Sequence, residues 1–348
     1  MRRLFLLFCI LFIVICVGLR FHTPQVTQRF VGEFIAKSYN QVYTPEVENR
    51  YNEIVFVGDV MLARQVETFM DTYGSDYPYT SLPPHASTSY LIGNFESAIP
   101  KKHIQTPSLG FVFSTEEKHI PALIDYGFTH LGLANNHAFD YGPSGFVNAN
   151  DVLRKASSTP FGNPSFFSSA SAVYLEVGTT TVAVLALYAL DVRPTQEELE
   201  AVLQDIATQS DMQIVYVHWG TEYALTHNAF QETLAQELVD AGADVIIGHH
   251  PHVVQDVAIY KNTPIFYSLG NFIFDQYFSS DVQEGLMVHM KKSNEGWWYT
   301  LVPVSTLDSK TVPYVMQPSE KALFLEALAE RSDVALTQMI TSGSLFIQ

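Results

Sequence analysis

Cysteine is nearly missing from this chain. Its two copies, Cys9 and Cys16, both fall in the N-terminal segment, so the rest of the sequence has neither a disulfide framework nor a thiolate metal site. Positive charge is scarce as well: 19 Lys+Arg stand against 36 Asp+Glu, a net charge of −17. Setting aside Arg2 and Arg3 leaves 17 against 36, or −19. Such a surface repels phosphate backbones and argues against non-specific nucleic-acid binding. Internal repeats and low-complexity tracts are lacking. Disorder of the bulk is excluded too, because 47% of the 348 residues are hydrophobic and only 16% charged, enough to bury a large core.

What the N-terminus has is an uncharged apolar stretch, Leu4–Leu19, preceded by Arg2 and Arg3. As a helix it would span about 24 Å, slightly less than a hydrocarbon core of about 30 Å, and Phe21 can extend it. The positive-inside rule then places residues 1–3 in the cytoplasm and the bulk of the chain outside. A cleaved signal peptide is the rival, but Cys16-Val17-Gly18 is followed by no small-x-small site. Lipidation at Cys16 is less favoured, since Ile15 sits where a small residue is wanted. The expected organisation is a tip at 1–3, a signal-anchor helix at 4–21, a stalk at 22–50, a main domain at 51–310 and a C-terminal helical segment at 311–348 packed on it.

From Asn52 onward short apolar runs alternate with amphipathic stretches. Ile54–Val57, Tyr90–Ile92, His130–Leu133, Val182–Leu187, Ile214–Val217, Val245–Ile247 and Ile265–Leu269 read as buried strands. Thr195 and Glu198 form a capping box ahead of Leu199, Val202, Leu203 and Ile206 at helical spacing. Phe230, Leu234 and Leu238 make a second stripe, and Pro143–Lys155 a third helix. The alternation predicts an α/β domain with a largely parallel sheet. Gly285–Met290 and Trp298–Val304 read as antiparallel strands, and Ser319–Arg331 as a terminal helix.

Six of these strands run at their carboxyl ends into polar residues. They deliver Asp59; Asn94 and Glu96; Asn135, Asn136, His137 and Asp140; His218 and Glu222; His249, His250 and His252; and Asn271. Ligands bind at that edge of open α/β sheets. Each residue alone has an ordinary explanation, as a helix cap, a surface carboxylate or turn chemistry. Six such turns together point to a metal or polar catalytic site. Oxygen ligands mixed with imidazole and no thiolate suit Mn, Fe or Zn better than Mg or Ca. The other histidines, His22, His85, His103, His119, His130, His227 and His289, read as surface or structural.

The segments Val57–Leu62, Asn94-Phe95-Glu96, Leu133–His137 with Asp140-Tyr141-Gly142, His218-Trp219-Gly220 with Glu222-Tyr223, Gly248–Val253 and Tyr267–Phe272 occur in an order that resembles the bacterial CapA-type poly-γ-glutamate capsule synthesis family. That family is similar in fold to the calcineurin-like metallophosphoesterases. The resemblance implies an αββα sandwich of two sheets behind the N-terminal transmembrane helix. It implies a divalent metal held by Asp59, Glu96, Asn136, His218, His250 and His252. It makes His137 a general acid oriented by Asp140. Asn94, Asn135, Glu222, His249 and Asn271 are expected to line the site and bind. The sequence departs from ordinary dinuclear phosphoesterases at Met61, where they have a histidine, and at Asn94-Phe95-Glu96, which replaces an aspartate-rich motif. The number of metals and hydrolytic activity therefore stay open.

Three functions remain. The first is a component of a membrane-embedded poly-γ-glutamate synthesis and export complex, anchored in the bacterial cytoplasmic membrane with its bulk outside. The polymer is polyanionic, so direct contact needs bridging cations or a local basic patch, and the only basic runs are Lys101-Lys102 and Lys291-Lys292 beyond Arg2-Arg3. The second is a metal-dependent hydrolase of a phosphoester or an amide. The third is a scaffold that keeps a vestigial site.

Overall fold

The computed structural model describes residues 51–191 and 193–347. The expected anchor and stalk lie outside the described residues. Among the described residues no helix is long and apolar enough to cross a membrane.

Two sheets stack face to face. The first is built around β1 (Glu53–Val60), which pairs in parallel with β2 (Ser89–Phe95), followed by β3 (His130–Gly132) and β4 (Thr159–Phe161). On its other side β1 meets the antiparallel hairpin of β12 (Glu284–Lys292) and β13 (Trp297–Ser305), which carries β14 (Tyr314–Val315) and β15 (Ser344–Ile347). The second sheet runs in the order β5 (Ala172–Val177), β6 (Thr180–Tyr188), β7 (Met212–His218), β8 (Val245–His249), β10 (Thr263–Phe266) and β9 (Val257–Tyr260). Strands β6, β7, β8 and β10 are mutually parallel. The expected mixed α/β architecture with two sheets is present.

Apolar alternation explains the layering. Ile54, Phe56 and Ile92 face inward and meet Val184, Ile214 and Ile247 of the second sheet. Val55, Val57 and Leu91 face outward against Met70, Leu123 and Leu153. Those last three belong to α1 (Arg64–Tyr73), α2 (Ile120–Tyr126) and α3 (Gly142–Lys155). On the far side Val215, Val217 and Ile246 meet α4 (Gln196–Ala207) and α5 (Ala229–Asp240) through Leu199, Leu203, Leu234 and Leu238. Central strands are thus covered on both faces, which is why they read as continuous apolar runs. Each fully buried aliphatic side chain contributes about 1.5–3 kcal/mol. The tail adds α6 (Pro318–Arg331) and α7 (Thr337–Ser342), whose Leu325, Leu328 and Ile340 join the inter-sheet core.

The predicted capping box of α4 is formed: Thr195 N–H donates to Glu198 Oε2 at 2.9 Å, and Glu198 N–H to Thr195 Oγ1 at 3.2 Å. One strand is shorter than its sequence suggests. The run Ile265–Leu269 leaves the second sheet after Phe266 and crosses to the first, where β11 (Asn271–Ile273) pairs in parallel with the end of β1. Gly270, at φ +66°, makes the bend, and Gly58 lets the strands close up. A Cβ on Gly58 would lie 2.0 Å from the Gly270 carbonyl oxygen. The crossing sets Asn271 beside Asp59 in register.

Candidate metal centre

The carboxyl ends of β1, β2, β7 and β8 converge where the two sheets meet. Asp59, Glu96 and His218 offer ligand atoms within 4.8 Å of one another, and so do Glu222, His250 and His252. The two groups adjoin. His252 Nδ1 lies 3.1 Å from Asp59 Oδ2, His252 Nε2 lies 3.7 Å from Glu96 Oε1, and the rings of His218 and His250 are 4.8 Å apart. Asp59, Glu96, His218, His250 and His252 are all buried, whereas Glu222 is exposed.

Amides tie the donors together. Asn94 Nδ2 lies 2.8 Å from Asp59 Oδ1, 3.2 Å from Glu96 Oε2 and 3.3 Å from His218 Nδ1. Asn135 donates to Asn94 Oδ1 and to the Phe95 carbonyl, and its own oxygen accepts the His137 N–H. Asn136 Oδ1 sits 2.8 Å from His218 Nε2, and Asn271 Oδ1 sits 3.0 Å from His252 Nδ1. His249 is fully buried against the Tyr216 ring, with Nδ1 3.4 Å from Asp59 Oδ1. His137 Nδ1 meets Asp140 Oδ2 at 2.8 Å, and its Nε2 lies 3.8 Å from Glu96 Oε1.

The backbone is constrained at the same place. Tyr223, His250 and His252 all have positive φ, at 65°, 99° and 59°. Non-glycine residues adopt such angles rarely and concentrate them at functional sites.

Electrostatics follow from crowding carboxylates and imidazoles in a buried place. Burial opposes the charge of Asp59, but His249 and His252 beside it hold its carboxyl well below the usual range. Burial and then the Asp59 charge push Glu96 well above it. Burial keeps His218 well below the usual imidazole value and His250 down at about 4, with a neighbouring histidine adding to each. His252 goes the other way: burial would lower it, yet Glu96 and Asp59 raise it to about 9.

The donor set fits a divalent cation. Asp59 Oδ2, Glu96 Oε1, both ring nitrogens of His249 and Nδ1 of His250 are buried without a hydrogen-bond partner. His252 approaches Asp59 Oδ2 closely but not in hydrogen-bonding geometry. Buried polar groups left in this state are costly, and a cation held among them removes the cost.

Residues 53–276 match the family described as bacterial capsule synthesis protein PGA_cap. The chain belongs to this family. It is 31% identical over 315 residues to the capsule biosynthesis protein CapA of Bacillus anthracis, covering 83% of this chain and 77% of that one. It is 30% identical over 327 residues to the PGA biosynthesis protein CapA of Bacillus subtilis (strain 168), covering 88% and 86%. A solved structure of a hypothetical protein from Thermus thermophilus is 17% identical, with a TM-score of 0.42 over 76% of this chain and 98% of that one. A likeness that loose carries no inference about chemistry.

Met61 is fully buried in the core between the first sheet and its helices, where its sulfur accepts the Ala63 N–H at 3.0 Å. Phe113 stacks on His137 with ring centroids 4.0 Å apart. Arg64, at φ 52°, is paired with Asp275 and lies over the Phe113 and Phe274 rings. Phe113 and Asp275 reach the site from loops without a local motif. Arg64 does follow directly on the Asp59 segment, and its place there is the one sequence signal for it.

Proposed function

We propose that this protein is an extracytoplasmic component of poly-γ-glutamate capsule synthesis and export, held to the bacterial cytoplasmic membrane by residues 4–21. The named CapA relatives support the pathway. The single observation that carries a role for the strand-end site is the buried, unpartnered set of ligand atoms on Asp59, Glu96 and His250. The two stacked sheets with helices outside and donors at the strand ends support a metallophosphoesterase-like sandwich.

In this reading Asp59, Glu96, His218, His250 and His252 hold Mn, Fe or Zn, with Glu222 beside them and Asn136 within reach through His218. A divalent cation bound there supplies Lewis-acid polarisation of an oxygen. Asn94 orients the carboxylates, and Asn135 holds Asn94 in place. Asn271 fixes the His252 ring, and His249 shields the buried side of Asp59. The net charge of −17 opposes a polyanion. Where no local basic patch meets it, the polymer needs a cation between it and this surface, which makes the metal relevant to binding as well as to chemistry. Partners are the membrane-embedded synthesis and export complex and the growing polymer.

A second reading, hydrolysis of an amide or phosphoester, is favoured by the His137–Asp140 pair. His137 would protonate the leaving group through Nε2 while Asp140 holds Nδ1. The test is to replace His250 and His252 together by Ala in a producing cell. The expected result is a stable protein without strand-end metal and loss of polymer. Unchanged polymer yield from a stably expressed variant would remove the site from the function.

A further inference from the structure

Outside the strand-end cluster, one side of α1 carries Glu67 and Asp71, four residues apart and so neighbours on the helix surface. They meet the segment 103–119. Glu67 is fully buried, and neither of its carboxylate oxygens has a hydrogen-bond partner. His103 Nε2 nevertheless lies 2.7 Å from Glu67 Oε1. Next to this pair, buried His119 puts an Nε2 without a hydrogen-bond partner 3.3 Å from Asp71 Oδ1. Glu67, His103 and Glu116 bring ligand atoms within 4.8 Å of one another, and Asp71, Glu116 and His119 do the same.

Both imidazoles are anchored from behind. His103 Nδ1 lies 2.8 Å from Ser114 Oγ, and His119 Nδ1 lies 2.8 Å from Ser75 Oγ. Where each hydroxyl accepts the Nδ1 proton, Nε2 presents its lone pair to the carboxylates. Two lone pairs at 2.7 Å repel unless positive charge lies between them. This is the arrangement in which a metal-bound imidazole is oriented by an outer partner on its other nitrogen. A proton is the other remedy: burial works against a charged His103, and a proton held by Glu67 is the one that a metal ion displaces.

We propose that Glu67, His103 and Glu116 bind a divalent transition-metal ion of the Zn²⁺ class, which clips the segment 103–116 to α1. One imidazole with two carboxylates suits Zn²⁺ better than the all-oxygen preference of Mg²⁺ or Ca²⁺. Lys118 decides between the two neighbouring groups. Its Nζ is 2.7 Å from Asp71 Oδ1 and 2.6 Å from Glu116 Oε2, so it already neutralises Asp71 and occupies one Glu116 oxygen. Glu67, which burial with the charges of Asp71 and Glu116 pushes up to about 8, keeps its proton at neutral pH without an ion, so metal binding there releases that proton. The set shares no residue with the strand-end cluster, and it does not depend on the function proposed for that cluster.

The test uses the full chain, stripped with a chelator, dialysed against Zn²⁺ alone and counted by elemental analysis. Glu67→Gln and His103→Ala are each expected to hold one zinc fewer per chain than the wild type, with unchanged far-ultraviolet circular dichroism. Affinity for that ion should fall at least about 100-fold, since disturbing even an outer partner of a ligand costs about 10–100-fold. If Glu67→Gln does not fold, His103→Ala decides, because its side chain is partly exposed. His250→Ala/His252→Ala should retain this ion. Wild-type stoichiometry in the His103 variant, or loss of the ion in the His250/His252 variant, overturns the proposal.

Discussion

His137 Nδ1 lies 2.8 Å from Asp140 Oδ2, and the same carboxylate oxygen accepts the Phe113 N–H at 2.6 Å. The Phe113 ring then lies against the imidazole, tilted by 24°. One edge and one face of His137 are therefore fixed, and Nε2 is left toward Glu96. If this histidine transfers a proton, His137→Ala should lower turnover by about 10²–10⁴-fold while sparing metal content. Asp140→Asn should cost less, because the amide can still accept the Phe113 N–H although it no longer stabilises an imidazolium. Polymer yield from cells expressing each variant at equal level measures both. Wild-type yield with His137→Ala would mean that the pair only shapes the turn.

Asn94 connects two carboxylates and an imidazole through a single amide nitrogen. Asn94→Ala removes no proposed ligand but frees three of them to move. Its metal affinity is expected to fall about 10–100-fold, the usual effect of losing an outer partner. Competition with a chromogenic chelator reads this directly. An unchanged affinity would show that the ligands are held by packing alone.

Gly248 precedes the histidine cluster in a place with no room for a side chain. A Cβ there would lie 2.0 Å from the Tyr267 carbonyl oxygen and 2.6 Å from Trp219 Nε1. That nitrogen donates to the same carbonyl at 2.9 Å. Gly248→Ala should push β8 away from residue 267, costing about 2–3 kcal/mol or more through overpacking and disturbing His249 and His250. A lowered urea midpoint with an unchanged slope is the expected observation.

Much of this arrangement was legible from residue order, and the exceptions have physical causes. Strands such as β1 and β7 are covered on both faces, so their apolar runs stand out. Strand β4 is three residues long with a proline at its centre, and β14 has only two residues, so neither leaves a pattern. The run through Leu269 looks like one strand because apolarity does not record a change of sheet; only Gly270 hints at it. The α5 cap, a capping box of Asn228 and Gln231, is not announced by the apolar stripe that marks the helix. Polar strand ends exposed most of the candidate site. Glu222, expected only to bind, brings a carboxylate oxygen within 4.8 Å of ligand atoms of His250 and His252. His103 and His119 look like ordinary surface residues until folding sets them beside α1.

The anchor is tested by topology. With residues 4–21 spanning the membrane and Arg2 and Arg3 inside, protease added to intact protoplasts should degrade the domain from residue 51 onward. Protection of that domain, or a mature chain beginning after Cys16, would reject an uncleaved anchor.

His130 gives the domain a specific acid sensitivity. Its ring packs edge-on against Tyr90, with Nδ1 2.9 Å from Thr129 Oγ1, and burial pushes its pKa down to about 4. In the unfolded chain the same imidazole titrates near its ordinary value of about 6.5. Between these values the unfolded state binds the extra proton, so stability falls as pH drops through the window from about 6.5 to about 4 and is fully present above it. At about pH 5 the loss from this one group amounts to about 2 kcal/mol. His218 and His250 shift in the same direction, so the informative quantity is a difference between proteins. Urea midpoints of wild type and His130→Gln should be measured at about pH 7.5 and about pH 5, on either side of the unfolded-state value. The variant is expected to start less stable, because it loses the ring packing, and to lose less on acidification. Parallel declines in the two proteins would show that His130 is already protonated, or solvated, in the folded state.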